Sequence, residues 1–120
     1  MSQILNNIKY DLEERTSMFS KNIINFSNKM PLTLTTKPLL QQLIRSATSI
    51  GANYCEANGA SSRKDFKNKI HTCKKEAKET EYWLELLLKT SPTLNTVSQV
   101  LWKEAHELTL IFSKIAFNTK

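Results

Sequence analysis

Glycine and proline are scarce, two and three copies in 120 residues, which removes the many tight turns that a β-sandwich or barrel requires. Helices are favoured before any periodicity is read. No uninterrupted apolar run approaches the roughly 18 residues of a membrane-spanning helix, because the longest candidates carry Lys, Glu or Asn. The start, Met1-Ser2-Gln3-Ile4-Leu5-Asn6-Asn7, lacks a basic stretch followed by an apolar one, so no secretory leader and a cytoplasmic location are expected. Cys55 and Cys73 are the only cysteines, and each falls inside a helical pattern. They are expected as free thiols packed like small hydrophobes. There is no Gly-rich phosphate loop, no nucleophile elbow and no Cys/His catalytic pairing. His71 and Cys73, two positions apart, point to different sides of a helix, and no ligand cluster completes a zinc tetrahedron. Glu104-Ala105-His106-Glu107 does not supply the Glu-x-x-His spacing of a di-iron bundle, which leaves His106 as a surface residue. A non-enzymatic protein without metal or cofactor is the expectation.

What the chain does contain is helical periodicity, with 40% apolar and 23% charged residues over a length suited to one domain, residues 1–120. Leu5, Ile8, Leu12, Phe19, Ile23, Phe26 and Met30 recur at steps of three, four or seven up to Pro31. They predict a first helix from 5 or 11 to 29. Thr35 or Thr36 can cap a second, with Pro38 tolerated in its first turn. Its apolar face collects Leu39, Leu40, Leu43, Ala47, Ile50, Tyr54 and Ala57, and Gly51 beside that face predicts a tight helix crossing. Asn58-Gly59 reads as a left-handed stop, and Ser61 or Ser62 followed by Asp65 as the next start.

The third helix, about 62–89, buries Phe66, Ile70, Cys73, Ala77, Thr80, Leu84 and Leu87, a seam with two weak members. Ser91-Pro92 breaks the chain before a fourth helix marked by Leu94, Val97, Leu101, Ala105, Leu108, Phe112 and Ile115. Short connections return each helix beside its predecessor, so the fold class is all-α, an up-and-down antiparallel four-helix bundle.

The net charge of +6 is clustered, with 17 basic and 11 acidic side chains overall. Within 63–78, Arg63, Lys64, Lys67, Lys69, Lys74, Lys75 and Lys78 stand against Asp65 and Glu76. At about 100° per residue, Lys64, Lys67, His71, Lys74, Lys75 and Lys78 share a sector of about 100° turned away from the Phe66 and Ile70 seam. A solvated lysine face explains such a ridge, but like charges four apart repel, as in Arg63 with Lys67 and Lys74 with Lys78. An anionic partner removes that penalty. The preponderance of Lys over Arg suits phosphate-backbone attraction better than base readout. Arg63, Lys64, Lys67, Lys74, Lys75 and Lys78 are therefore the candidate nucleic-acid-binding residues, for RNA or DNA; the alternative is a protein-interaction module whose ridge meets an acidic protein.

A second constellation is polar. Arg45, Ser49, Asn53 and Glu56 project from one side of the second helix, opposite Leu43 and Tyr54, either bonding to a neighbouring helix or subunit or lining a groove. Arg45 and Glu56 are about 16 Å apart along the axis, so each needs a partner elsewhere.

The stretch from Gln42 to Ala57, with its Arg45-Ser46-x-x-Ser49-Ile50-x-x-Asn53-x-x-Glu56-Ala57 pattern, carries a resemblance. So do Ser62-Arg63-Lys64-Asp65-Phe66, the segment from Lys74 to Leu84, and Asp11-Leu12-Glu13-Glu14-Arg15-Thr16. Over about 11–88 the chain resembles the four-helix-bundle proteins encoded by 23S rRNA intervening sequences, also labelled S23 ribosomal protein. The resemblance implies a bundle commonly assembled as a homopentamer. It also implies relatives such as the accessory protein of diversity-generating retroelements, a basic pentameric barrel that binds nucleic acid and a reverse transcriptase. It marks Arg45, Ser49, Asn53 and Glu56 as packing or subunit-contact residues and the Lys67 to Lys78 ridge as the anion-binding surface.

Overall fold

The computed structural model describes residues 2–90 and 95–120, with side chains over 11–90 and 96–120. Four helices follow one another: α1 (Ser2–Lys29), α2 (Thr36–Asn58), α3 (Arg63–Thr90) and α4 (Asn95–Asn118). A 28-residue helix is about 42 Å long at 1.5 Å per residue, which accounts for the 47 Å long axis of a body only 23 × 20 Å across. Cross-helix contacts fall in reverse order along each neighbouring pair, which fixes the antiparallel sense. Arg45 meets Glu76 while Glu56 meets Lys69, and Glu81 meets Thr109 while Glu85 meets Trp102. On the α1–α2 side, Glu13 accepts from Asn58 while Thr16 lies against Gly51. The chain folds as an all-α four-helix bundle in which α3 packs on both α2 and α4, while α1 and α4 approach each other little.

Local signals explain most boundaries. The Ser62 hydroxyl accepts from the Asp65 amide at 3.0 Å, the N-terminal bond that its position before an acidic first turn predicts. At the start of α2 the cap comes from elsewhere than expected. Thr35 makes no side-chain cap bond, whereas the Thr33 hydroxyl accepts from the Thr36 amide at 3.1 Å and the Thr36 hydroxyl donates to the Pro31 carbonyl at 2.7 Å. The threonine-rich link folds back on itself, so the donor-satisfying oxygen sits three residues before the helix.

The predicted left-handed stop at Gly59 is also corrected. Gly59 has φ −99° and ψ 10°, and the helix closes through three-residue bonds from the Gly59 amide to Glu56 and from the Ala60 amide to Ala57. A tightened last turn satisfies the end carbonyls without a positive φ.

The predicted seams are the core. Leu12, Phe19, Ile23, Phe26 and Met30 of α1 and its end meet Leu40, Leu43, Ala47, Ile50, Tyr54 and Ala57 of α2. From α3 come Ile70, Cys73, Ala77, Leu84 and Leu87, and from α4 Leu101, Ala105, Leu108 and Phe112, with Leu39, Phe66 and Ile115 packed at the margin. The side chains of Leu5, Ile8 and Leu94, and the Ser91-Pro92 break, lie outside what the structure describes. Gly51 makes the predicted close approach: a Cβ there meets Thr16 Oγ1 at 3.2 Å. Thr80, a weak seam member, is fully buried with its hydroxyl satisfied twice, by that of Ser46 at 2.8 Å across α2 and α3 and by the Glu76 carbonyl at 2.8 Å.

Two seam expectations fail. Val97 is 49% exposed while Ser98 beside it is 2% exposed, because α4 turns Ser98 onto the line through Leu101, Ala105, Leu108 and Phe112. Cys55 is exposed rather than packed; only Cys73 is interior, where burial pushes its thiol up to about 12.

A candidate nucleic-acid interface on helices α3 and α4

Helix α3 carries no proline or glycine and is rich in straight-chain residues, so it runs unbroken for 28 residues and holds its side chains in a fixed angular order. Burying the Ile70, Cys73, Ala77, Leu84 and Leu87 stripe leaves the lysine sector outside. Lys67, His71 and Lys74 line a groove of about 650 Å³ whose opposite wall is Leu110, Ser113, Lys114 and Phe117 of α4. A second groove of about 500 Å³ begins where the first ends and is lined by His71, Lys74, Lys75, Lys78, Glu79 and Tyr82. The two share His71 and Lys74, so Lys67, Lys74, Lys75 and Lys78 form one continuous strip. Lys64 is exposed one turn nearer the helix start, and Arg63 donates to the Lys120 backbone oxygen at 3.3 Å; neither lines the grooves.

Among the described residues, none of Lys64, Lys67, Lys74, Lys75 and Lys78 has a carboxylate within 4.0 Å. Of the two acids that sequence placed among them, Asp65 lies within 4.0 Å of none of these lysines, and Glu76 is engaged elsewhere. Glu76 is buried and accepts from Arg45 at 3.0 Å, and Glu79 accepts from the same guanidinium. Lys69, on the flank, pairs with Glu56 at 3.0 Å. The ridge therefore keeps its positive charge.

The polar stripe on α2 finds its partners within the chain. Arg45 bridges to Glu76 and Glu79 on α3 and is steadied by Gln42 at 2.9 Å. Glu56 holds Lys69, while Ser49 donates to the Arg45 carbonyl at 2.7 Å and Asn53 to the Ser49 carbonyl at 2.8 Å. Arg45 and Glu56 thus fasten α2 to α3, Ser49 and Asn53 bond back onto α2 itself, and none of the four lines a groove on the lysine face.

Sequence reasoning missed the α4 wall. Leu110, Ser113, Lys114 and Phe117 recur at three, four and seven, a second stripe beside the buried seam, but the spacing does not say that it faces the lysines of α3. It also missed that all three arginines are internally engaged. Arg15 of α1 forks onto Glu104 with two 2.7 Å bonds and reaches Glu107 at 2.9 Å, tying α1 to α4. His106 is not a lone surface residue either: its ring stacks on Trp102 with centroids 5.0 Å apart, and its Nδ1 lies 3.3 Å from Glu81.

With this geometry in view, the comparison with known proteins is informative. The family model described as 23S rRNA-intervening sequence protein matches residues 9–114. The chain belongs to the 23S rRNA-intervening sequence protein family. A member of this family's architecture is seen in the crystal structure of a protein of unknown function from the S23 ribosomal protein family of Bacteroides thetaiotaomicron VPI-5482. It is 34% identical, with a TM-score of 0.77, over 87% of this chain and 96% of that chain. No curated protein matches. The lysine strip and Lys114 lie within the span matched to the 23S rRNA-intervening sequence proteins, and Phe117 falls just beyond it. Among the described residues, no helix is long and apolar enough to cross a membrane.

Proposed function

We propose that this member of the 23S rRNA-intervening sequence family is a non-enzymatic, homo-oligomeric protein that binds nucleic acid, RNA in the first place, along the α3 strip. The observation that carries the reading is the unneutralised run of Lys67, Lys74, Lys75 and Lys78, extended across the groove by Lys114. Fixed positive charges at successive helical turns match a polyanion, whose condensed counterions are released as the lysines take their place. With the arginines engaged elsewhere, the strip offers point charges rather than the forks that read base edges, so sequence preference is weak.

Exposed apolar side chains set among charged ones support self-assembly. Met18 and Val100 stand exposed along an open groove of about 780 Å³ between α1 and α4, on the flank of α4 that faces α1 rather than α3. Covered by further copies, up to the pentamer that the family resemblance implies, that face would gather several +6 chains into one strongly positive assembly.

Titration of a fluorescent RNA across salt, with light scattering on the loaded species, tests the reading. Up to five lysine contacts give a log–log slope of up to about −3.5, at roughly 0.7 per phosphate on a single strand. Binding should vanish from the same preparation on nuclease treatment. A salt-independent signal, or an acidic protein retained in place of RNA, would contradict it.

A further inference from the structure

Two aromatic rings stand at the ends of the lysine strip with their surfaces in solvent. Phe117 is 85% exposed and lines the first groove with Lys67, His71, Lys74 and Lys114. Tyr82 is 53% exposed and lines the second with Lys74, Lys75 and Lys78. Neither ring belongs to the core, and an exposed Phe by itself calls for no explanation. Their shared placement does: each sits in a groove lined by three lysines, the Tyr82 groove also holding Glu79, which is turned onto Arg45. Tyr82 is also held in position, its ring edge-on to Trp83 with centroids 5.0 Å apart at 66°. Trp83 in turn packs against the core and donates to Glu79 at 3.3 Å.

We infer that the strip takes a single-stranded segment of nucleic acid, with phosphates along Lys67, Lys74, Lys75, Lys78 and Lys114 and unstacked bases on Phe117 and Tyr82. The inference rests on the nucleic-acid reading above and narrows its ligand. In a duplex the faces of the bases are occupied by their neighbours, so only the phosphates could use this surface. In a single strand each base offers a free π-face to an aromatic ring, the combination of cationic track and stacking platform that single-strand binders use. Tolerance of sequence follows from the same fact, since every base has such a face. From Lys67 to Tyr82 the strip spans about 22 Å of helix axis, enough for a site at the short end of the roughly 4–16 nucleotides seen for single-strand modules. His71, between the rings, supplies a donor for a phosphate or sugar oxygen.

Fluorescence anisotropy with a labelled uridine-rich RNA of about 12 nucleotides, offered as a single strand and as a blunt duplex, tests this on the full chain. The wild type should prefer the single strand. Phe117→Ala and Tyr82→Ala should each weaken single-strand binding roughly tenfold and leave duplex binding unchanged. Phe117→Trp, which keeps a platform, should retain the affinity. Both rings are exposed, so the fold should survive, as circular dichroism would verify. Equal binding of strand and duplex, or alanine variants that bind the strand as the wild type does, would overturn the inference while leaving the nucleic-acid reading in place. Binding of neither RNA would overturn both.

Discussion

Changing Lys67, Lys74 and Lys78 together to Glu will lower affinity for a short single-stranded RNA about a hundredfold near 0.1 M salt. Each lost phosphate contact removes roughly 0.7 from the log–log salt slope, so three remove about two, and that is about two decades of affinity at 0.1 M. The three new carboxylates repel the strand in addition. None of these lysines has a carboxylate partner among the described residues, so the change breaks no ion pair. Glu and Lys have similar helix propensity, so α3 should persist. The variant takes the formal charge from +6 to zero, and a control is needed to separate placement from total. Lys21 of α1, Lys37 of α2 and Lys89 of α3 are exposed and line neither of the two grooves. Reversing those three gives the same net charge and should cost far less affinity. If both triple variants lose affinity equally, the strip has no special role and net charge alone attracts RNA.

Phe112→Ala should destabilise the fold by about 3–5 kcal/mol, the usual loss for a large aromatic removed from a core that cannot fully collapse. The ring is completely buried and meets Tyr54 across the bundle, centroids 5.6 Å apart and tilted by 58°. It is the largest fully buried side chain of α4, on an inward line that otherwise holds Leu101, Ala105, Leu108 and Ala116. Since native domains are stable by about 5–15 kcal/mol, the variant should melt at least ~10 °C lower or lose cooperative folding altogether. Phe112→Leu, which fills most of the space, should lose much less. Urea denaturation followed by circular dichroism measures both; a loss below about 1 kcal/mol for the alanine variant would place α4 loosely on the bundle. Such a result would also unsettle the groove, because the same helix presents Lys114 and Phe117 to α3.

The bundle was legible in the sequence because each helix buries one stripe, and a stripe is a local property. Ile70, Cys73, Ala77, Leu84 and Leu87 could be placed inside by counting alone. The lysine sector was legible for the same reason, as its members share a helix whose axis sets their angles. Errors arose where two positions competed or where a second element decided. Val97 and Ser98 are neighbours near the start of α4, and packing chose the hydroxyl over the valine, leaving the latter beside the open α1–α4 side. Gly59 has the residue type of a left-handed stop, yet the tightened turn needed none. The second wall of the candidate interface, Leu110 to Phe117, depends on how α4 is rotated against α3, which no single-helix pattern contains. Likewise Glu76 reads as a neighbour of the lysines until Arg45, 31 positions away, is seen to hold it.

Lysine footprinting by mass spectrometry, with and without a bound single-stranded RNA, reads the interface directly. Protection of Lys67, Lys74, Lys75, Lys78 and Lys114 from an amine-acylating reagent, with Lys21, Lys37 and Lys89 modified as in the free protein, is the result this account predicts. Unchanged labelling along α3, or protection centred on α1, would contradict it.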